Sequence, residues 1–220
     1  MRIGILGTGA MATALGGAWV RAGHEVLVGG RDEAAARQVA ASIGASGGGG
    51  PAEAARFGQA VLVAVPAEAA LSLVAPLAGE LAGRTLLDCT VPMAPGVHGP
   101  ALTTAAGDSV ARRLAAVAPD ARVAKVFGIC HESIWTMPRP GFEGAPLGVP
   151  YCADGPETGA VVAGLVASMG CTPVDCGGLD RAGLLEAAAV FAVGVWWSGG
   201  EARHVFPSPA LAPGAQDDVE

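Results

Sequence analysis

The feature that most constrains the fold lies at the start of the chain. Residues 2–6 (Arg-Ile-Gly-Ile-Leu) have the character of a short buried strand, and they run directly into the pattern G-x-G-x-x-A at residues 7–12. A helix is predicted over residues 11–22. A strand, a glycine turn and a helix N-terminus in this order suit a dinucleotide pyrophosphate, because the free N–H groups of the helix and its dipole attract the anion.

Each small residue of the pattern has its own task. Gly7 makes the tight turn, and Gly9 lets the backbone approach the phosphates without an intervening Cβ. Ala12 is small enough for the helix to pack close to the strand. The position and context of the pattern therefore predict a nucleotide site rather than a glycine turn without a ligand.

The end of the second predicted strand bears on the choice of cofactor. Residues 25–29 form that strand, and Gly30, Arg31 and Asp32 follow it. A site that prefers NAD usually carries a carboxylate here, which binds the ribose hydroxyls. Arg31 instead offers a guanidinium that can pair with a 2′-phosphate and stack on adenine, while Asp32 is predicted to cap the helix over residues 33–42. We therefore expect NADP(H).

Composition excludes several classes of partner. The net charge is −7, and no basic cluster is visible, which argues against nucleic acid and anionic membrane surfaces. The longest apolar run, residues 187–197, is too short to span a bilayer, and a strand from Arg2 leaves no room for a signal peptide. The five cysteines show no C-x-x-C pair and no metal-ligand spacing, so we expect reduced thiols, a cytoplasmic location and no metal site.

The rest of the chain alternates between strand and helix. We predict strands over residues 60–65, 85–89, 122–127, 149–153 and 172–175, and helices over residues 68–77, 109–117, 157–169 and 181–197. Successive βα units of this kind predict an α/β fold with a doubly wound parallel sheet. Residues 1–198 are expected to form one domain, residues 44–51 (Gly-Ala-Ser-Gly-Gly-Gly-Gly-Pro) a flexible surface loop, and residues 199–220 a flexible tail.

Several segments together resemble one known family. They are G-I-L-G-T-G-A-M at 4–11, A-G-H-E-V-L-V-G-G-R-D at 22–32, V-A-V-P at 63–66, L-L-D-C-T-V-P at 86–92, A-R-V-A-K-V-F at 121–127 and P-V-D-C-G-G-L-D-R-A at 173–182. In this combination the chain resembles the NADPH-dependent reductases of the deazaflavin coenzyme F420, and it is also similar to the cytosolic half of the six-transmembrane metalloreductases. The resemblance covers about residues 1–198. It implies a Rossmann-type domain with a small C-terminal extension, a homodimer, and a deazaflavin or flavin as hydride acceptor.

The resemblance also implies which residues hold the cofactor. Thr8, Gly9, Ala10 and Met11 would lie at the pyrophosphate, together with the turn at Gly7. The 2′-phosphate would be met by Gly30 and Arg31, where the family more often has Ser-Arg. Four residues, Val65, Pro66, Ala67 and Thr90, would lie near the nicotinamide.

Two departures from the family fall on the acceptor side. The family commonly has Asn where this chain has Val91 and Gly128. Both positions follow the carboxyl ends of predicted strands, where ligands bind in such folds. The sequence therefore supports NADPH binding more firmly than it supports reduction of a deazaflavin.

The segment at residues 128–135 (Gly-Ile-Cys-His-Glu-Ser-Ile-Trp) offers candidate catalytic groups. His131 could donate a proton to a carbonyl or imine substrate as hydride arrives, with Glu132 or Ser133 orienting it, or it could be a polar loop residue without a catalytic task. Trp135 could stack on a flat acceptor. Cys130 has no basic partner at a fixed spacing that would make it a redox nucleophile.

Three functions remain open at this point. The first is an NADPH-dependent oxidoreductase that passes hydride to a deazaflavin or flavin. The second is direct reduction of a small carbonyl or imine substrate, with His131 as general acid. The third is a protein that binds NADPH without catalysis and acts as a sensor.

Overall fold

The computed structural model describes residues 1–202, and the elements in it follow the predicted alternation. The strands are β1 (Arg2–Leu6), β2 (Glu25–Gly29), β3 (Gly47–Gly49), β4 (Ala60–Val63), β5 (Thr85–Asp88), β6 (Met93–Gly96), β7 (Gly99–Leu102), β8 (Arg122–Val126), β9 (Gly141–Phe142), β10 (Ala145–Pro146), β11 (Gly148–Ala153) and β12 (Thr172–Asp175). The α-helices are α1 (Ala10–Arg21), α2 (Glu33–Ile43), α3 (Pro51–Phe57), α4 (Ala67–Val74), α5 (Ala78–Leu81), α6 (Val110–Val117), α7 (Gly155–Ser168) and α8 (Ala182–Trp197). Short 3-10 turns lie at Ala75–Leu77, Glu132–Thr136 and Leu179–Arg181.

The main sheet has eight strands in the order β12-β11-β8-β5-β4-β1-β2-β3. From β3 to β8 every neighbouring pair is parallel. The chain winds outward from β1 in one direction and then from β4 in the other, so the topological switch point lies between β1 and β4. Ligands of such sheets bind at the carboxyl ends of the strands beside this point. The predicted doubly wound α/β fold of Rossmann type is confirmed.

Two further strands of the sheet, β11 and β12, and two helices, α7 and α8, form the C-terminal part of the chain. β11 runs antiparallel to β8, with Tyr151 opposite Val126, and β12 pairs with β11 in parallel. After β12 the chain returns to the sheet through α8, which packs against β7 and β11. This return places α8 on the layer that also holds α6.

The sheet separates two apolar layers. Because side chains alternate between faces along a strand, Leu62 of β4 packs toward α1 and α7, whereas Val61 and Val63 pack toward α3, α4 and α6. All three side chains are fully buried, as expected for a central strand of a parallel sheet. By the same alternation Asp88 and Lys125 face the second layer, where two charged side chains would not be expected.

The predicted surface loop at residues 44–51 is wrong. Gly47–Gly49 forms β3, the edge strand beside β2, and α3 begins at Pro51. A Cβ on Gly48 would lie 2.5 Å from the carbonyl oxygen of Ala36, so α2 packs on this strand at a distance that a side chain would prevent. A glycine run that suggests a linker in the sequence marks a close approach of two backbones here.

The predicted tail, residues 199–220, falls for the most part outside the described residues. At its start the N–H groups of Gly199 and Gly200 donate to carbonyl oxygens of α8. Within residues 1–202, none of the helices combines the length and the apolar character that a bilayer crossing would require.

Candidate active site

The glycine turn between β1 and α1 is fixed by the fold itself. Gly7 has φ +135°, and its N–H donates to the carbonyl oxygen of Gly29 at 2.8 Å. A Cβ at this position would lie 2.2 Å from the backbone oxygen of Ala64. Gly7 therefore joins β1 to both of its neighbouring strands, and no other residue can replace it without moving the backbone.

Gly9 is surrounded by space rather than by protein. Its backbone is extended, with φ −82°, and a Cβ built on it would meet nothing within 4 Å. No side chain caps α1, so the N–H groups of Ala10 and Met11 in its first turn lack an intrahelical partner. Because Gly9 has no side chain, an anion can approach these N–H groups. The N–H groups form the kind of cradle that binds a pyrophosphate.

A cleft of about 710 Å³ extends from this turn across the switch point. It is lined by seven of the predicted cofactor residues, namely Gly7, Thr8, Gly9, Gly30, Arg31, Val65 and Pro66. Ala10 and Met11 lie at its edge in α1, with the Met11 side chain packed against the core, so Met11 offers its N–H group. The sequence interpretation missed the opposite wall, which is formed by Pro51, Ala52, Glu68, Ala69, Ser72, Leu73, Pro76 and Leu77.

Arg31 stands at one side of this cleft with its charge available. Among the described residues, its guanidinium makes no ion pair and no side-chain hydrogen bond. Asp32 caps α2, because its Oδ1 accepts from the N–H groups of Ala34 and Ala35 at 2.9 and 3.1 Å. The predicted cap is confirmed, and it leaves Arg31 as a cation without a partner among the described residues at this side of the cleft.

The glycine at position 30 has a structural cause. A Cβ there would lie 2.8 Å from the Cγ2 methyl of Thr8. The Thr8 side chain therefore occupies the space that a serine at position 30 would need. Thr8 and Arg31 both line the cleft.

The opposite end of the cleft is built by the residues that follow β4, and the segment after the neighbouring strand β5 is not among the lining residues. Val63 pairs with Asp88, so Val65 and Thr90 each stand two residues beyond the carboxyl ends of two adjacent parallel strands. Ala67 begins α4 and packs against the second apolar layer. Thr90 is only 4% exposed, and its hydroxyl has no hydrogen-bond partner within residues 1–202. A buried hydroxyl without a partner at this place is suited to a polar group of the cofactor or the acceptor.

Directly beneath Thr90 lies a buried ion cluster that the sequence interpretation did not identify. Lys125 of β8 donates from Nζ to Asp88 Oδ2 at 2.9 Å and to the carbonyl oxygen of Thr90, and it lies 3.0 Å from Glu186 Oε1. Glu186 of α8 also accepts from the N–H of Val110 at 2.8 Å. We call Asp88, Lys125 and Glu186 the charged triad.

The triad has one more carboxylate than it has ammonium groups. Its three side chains are at most 3% exposed. Burial raises the pKa of Glu186 although Lys125 opposes the shift. The pKa of Lys125 is raised, because the attraction of Asp88 and Glu186 outweighs the effect of burial, so the ammonium stays charged.

The two departures from the family pattern meet at one point of the acceptor side. A Cβ on Gly128 would lie 3.2 Å from the carbonyl oxygen of Cys89 and 3.5 Å from Cγ2 of Val91. The loops after β5 and β8 are therefore packed against each other there. An apolar side chain beside a glycine takes the place of the two amides that the family commonly has.

Trp135 lies in the core, so the prediction that it stacks on an acceptor is wrong. Its side chain is 1% exposed and meets Phe127 edge to face, with the ring centroids 5.3 Å apart. Trp19 contacts the other side of Phe127 at 5.7 Å. This packing holds Phe127 at φ +68°, a conformation that is uncommon for a residue with a side chain.

His131 lies on the surface of the loop after β8 and not among the residues that line the cleft. Its Nδ1 accepts from the N–H of Ser133 at 3.3 Å and lies 3.0 Å from the hydroxyl of the same residue. Its Nε2 lies 3.3 Å from Glu132 Oε2. Both predicted orienting residues thus contact the ring. Burial raises the pKa of the neighbouring Cys130 to about 11, which disfavours a reactive thiolate.

Comparison with known proteins supports the resemblance in the N-terminal part of the chain. Residues 2–92 match the family described as NADP oxidoreductase, coenzyme F420-dependent. This match includes the glycine turn, Arg31 and the segment that ends at Pro92. A search of curated proteins finds no match to the sequence.

Solved structures share the fold over most of the chain. A protein from Arthrobacter sp. FB24, provisionally described as an F420-dependent NADP reductase, has a TM-score of 0.79 and 26% identity over 91% of this chain and 95% of its own. A hypothetical protein from Sinorhizobium meliloti has a TM-score of 0.70 and 21% identity over 86% and 87% of the two chains. A reductive aminase from Aspergillus terreus, in complex with NADPH and ethyl levulinate, has a TM-score of 0.62 and 23% identity over 90% of this chain but 62% of its own.

The family match and the fold agree with the geometry of the cleft. The resemblance to the F420-dependent NADP oxidoreductases is confirmed, and the chain is an NADP-dependent oxidoreductase. Among residues 1–202, no three His, Cys, Asp or Glu side chains converge as metal ligands would.

Proposed function

We propose that this NADP-dependent oxidoreductase transfers hydride between NADP(H) and a flat-ringed acceptor, a deazaflavin or a flavin. The observation that carries the proposal is the cleft itself. It joins an open cradle at Gly9 and a guanidinium at Arg31, which has no partner among residues 1–202, to an apolar wall at Val65 and Pro66 across the switch point. These groups suit the pyrophosphate, the 2′-phosphate and the nicotinamide end of one extended dinucleotide.

The residues of the chain divide the work along the cleft. Thr8 and the N–H groups of the first turn of α1 bind the pyrophosphate, while Arg31 binds the 2′-phosphate. Val65 and Pro66 exclude water beside the nicotinamide, because this wall is apolar. The bound cofactor supplies the hydride, and the task of the protein is to hold the two reacting rings at close range.

A ring acceptor fits the side of the site formed by the loops after β4, β5 and β8. Hydride transfer to a deazaflavin requires stacked rings and no acidic side chain at the reacting atoms. The contact between Val91 and Gly128 makes this side apolar, which favours a flat ring over a small polar substrate.

The first experiment tests the cofactor. Calorimetric titration of the wild type should show NADPH binding at least about tenfold tighter than NADH binding, since a charge-assisted pair contributes roughly 1.5–3 kcal/mol. Arg31→Ala should lose about tenfold to a hundredfold in NADPH affinity and leave NADH affinity unchanged. Arg37→Ala removes an exposed arginine of α2 that pairs with Glu33, so it is the matched control. Equal affinities of the wild type for NADPH and NADH would contradict the proposal.

The second experiment tests the acceptor. Oxidation of NADPH is followed by its absorbance with a deazaflavin, with flavins, and with a panel of carbonyl compounds and imines. Turnover with the deazaflavin or flavin supports the proposal. Tight binding of NADPH without oxidation by any acceptor would support the sensor instead.

Direct reduction of a carbonyl or imine substrate is the second candidate. The observation that favours it is the ring of His131, in which Nδ1 accepts a hydrogen bond, so the neutral imidazole carries its proton on Nε2. If His131 is the general acid, His131→Ala should lower turnover of such a substrate by about a hundredfold. An unchanged rate would leave this mechanism without its acid. His98→Ala, which changes a histidine of the β6–β7 hairpin, is the control.

The proposal includes a homodimer. α8 has one charged residue, Glu186, and this carboxylate is buried in the charged triad. Its outer surface presents Leu184 at 59% and Trp197 at 69% exposure. Light scattering after gel filtration should give twice the mass of one chain, and Leu184→Glu with Trp197→Glu should give a single chain that still binds NADPH. A monomeric wild type would contradict this part of the proposal.

We also place the protein in the cytoplasm. All five cysteines are free thiols, and none is paired in a disulfide. Fractionation of cells that produce the full-length chain should recover it with cytoplasmic markers, and recovery with membrane or secreted proteins would contradict the assignment.

A further inference from the structure

The charged triad reaches the candidate site through one residue, Thr90. Lys125 and Asp88 stand opposite each other on the adjacent strands β8 and β5. Both side chains face the layer that holds α8, where Glu186 completes the cluster. The triad therefore lies below the carboxyl edge of the sheet and is separated from solvent.

The backbone of Thr90 is held on both sides by this cluster. Its N–H donates to Asp88 Oδ1 at 2.8 Å, and its carbonyl oxygen accepts from Lys125 Nζ. Hydrogen bonds to charged partners are about twice as strong as neutral ones, and burial strengthens them further. Thr90 thus begins a loop, yet both of its peptide groups are fixed as firmly as those within a strand.

Unlike its backbone, the side chain of Thr90 is not held by the charged triad. Its hydroxyl is buried and has no partner within residues 1–202, although leaving such a group unpaired is unfavourable. Thr90 follows β5 as Val65 follows the adjacent parallel strand β4, so both lie beyond the carboxyl edge of the sheet, and Val65 lines the cleft there. A rigid backbone that carries an unpaired hydroxyl is a means of presenting that hydroxyl to a ligand in one orientation.

We propose that Lys125 is a positioning residue for hydride transfer, which it assists by fixing Thr90 so that the Thr90 hydroxyl hydrogen-bonds the nicotinamide end of the cofactor. Asp88 shares this task through the N–H of Thr90, and Glu186 anchors Lys125 from α8. The inference rests on the proposed function, because it requires that the nicotinamide binds beside Val65. It adds three residues from β5, β8 and α8 that contact neither the cofactor nor the acceptor.

The first test uses Thr90→Val, which replaces the hydroxyl by a methyl group of similar size and keeps the backbone contacts. Since the hydroxyl has no protein partner, the variant should unfold at the same or a higher urea concentration than the wild type. Its affinity for 2′,5′-ADP, which lacks the nicotinamide, should be unchanged. Its affinity for NADPH and its single-turnover hydride transfer should each fall by about fivefold to tenfold. Thr85→Val, at the other end of β5, is the matched control and should match the wild type in all four measurements.

The second test separates positioning by Lys125 from its effect on stability. Lys125→Met is compared with Leu114→Ala, which removes a buried side chain of α6 in the same layer. Both variants should be destabilised, and both should keep the wild-type affinity for 2′,5′-ADP under conditions where they are folded. Only Lys125→Met should change the fluorescence of bound NADPH and slow hydride transfer. The double variant with Thr90→Val should be no slower than the slower single variant, because Lys125 acts through Thr90.

The outcomes distinguish this inference from the proposed function. If the wild type binds no NADPH, the proposed function fails and the inference fails with it. If the wild type binds NADPH but reduces no acceptor, NADPH affinity and fluorescence still decide between Thr90→Val and Thr85→Val. Three results would each overturn the role of Lys125 while leaving the proposed function intact. They are wild-type values for Thr90→Val, equal behaviour of Lys125→Met and Leu114→Ala, and additive effects in the double variant.

Discussion

The two ends of the candidate site are built by opposite means. At the phosphate end, glycine backbone and the start of α1 form the cradle, and the side chain that carries charge, Arg31, has no protein partner among the described residues. At the nicotinamide end, the backbone of Thr90 is held by Asp88 and Lys125, a buried charge pair whose members are 37 residues apart in the chain. The first end depends on neighbours in sequence and the second on the folded protein, so mutations should affect them differently.

The largest effect on stability is expected at the nicotinamide end, for Lys125→Met. Removal of the ammonium leaves Asp88 and Glu186 as buried carboxylates without a counter-ion. Loss of one partner from such a cluster costs about 3–5 kcal/mol. Urea unfolding measured by circular dichroism at pH 7 gives the difference directly.

A compensating variant sharpens this prediction. Lys125→Met combined with Asp88→Asn and Glu186→Gln removes all three charges, so it should recover most of the lost stability. If Lys125→Met alone unfolds like the wild type, the charged triad does not stabilise the fold as its distances suggest.

The next effect is expected at the phosphate end, where two glycines of one motif should behave differently. Gly7→Ala forces a residue with a side chain to adopt φ +135° against the oxygen of Ala64, which costs roughly 3 kcal/mol. Gly9→Ala meets no protein atom, so it should leave stability within about 0.5 kcal/mol of the wild type and lower NADPH affinity by about tenfold. Unfolding curves and calorimetric titration of both variants test the pair. Equal destabilisation by the two substitutions would contradict the predicted difference between Gly7 and Gly9.

The elements of the site that the sequence predicted correctly lie at its phosphate end. The glycine turn, the strand that ends before Arg31 and the Asp32 cap involve residues that are close in sequence, and each is confirmed. Local patterns such as these specify their own geometry, because the contacts that they need are made within one βα unit. The order of the parallel strands follows from repetition of that unit.

What the sequence did not reveal depends on distant contacts. Lys125 appears in it as one lysine within an apolar strand, and nothing nearby indicates Asp88 or Glu186 as partners. A lysine flanked by Ala124 and Val126 in a central strand is nevertheless a signal, since an unpaired charge is almost never fully buried. The interpretation of Trp135 was wrong for the same reason, because Trp135 packs on Phe127 and Phe127 packs on Trp19, which is far from both in the sequence. In the sequence the glycines at 47–49 suggest a linker, because the close packing of α2 on β3 is visible only in the structure.

The pH dependence of stability tests the charge balance of the triad. Burial raises the pKa of Glu186 above that of the unfolded chain, so the native state keeps this proton to higher pH. Stability is therefore lost as pH rises through the native pKa, with a slope of at most about 1.4 kcal/mol per pH unit. Relative to Glu186→Gln, which cannot titrate, the wild type should become less stable between pH 4.5 and its native pKa. Unfolding curves of both proteins over this range give the difference, and Glu157→Gln, an exposed carboxylate, is the control.

The smallest effect is expected for Asp32→Ala. This variant tests whether a change at the phosphate end leaves the nicotinamide end unaffected. The variant loses the cap that Asp32 gives to the N–H groups of Ala34 and Ala35, which costs about 1 kcal/mol. Because the cap directly follows Arg31, NADPH affinity should fall by about twofold to threefold while NADH affinity stays constant. Glu33→Gln removes only the exposed ion pair with Arg37 in the same helix and should change neither quantity measurably. A slower hydride transfer in Asp32→Ala at saturating NADPH would mean that the two ends are mechanically coupled, because the lost cap would then have altered a site that the charged triad holds independently.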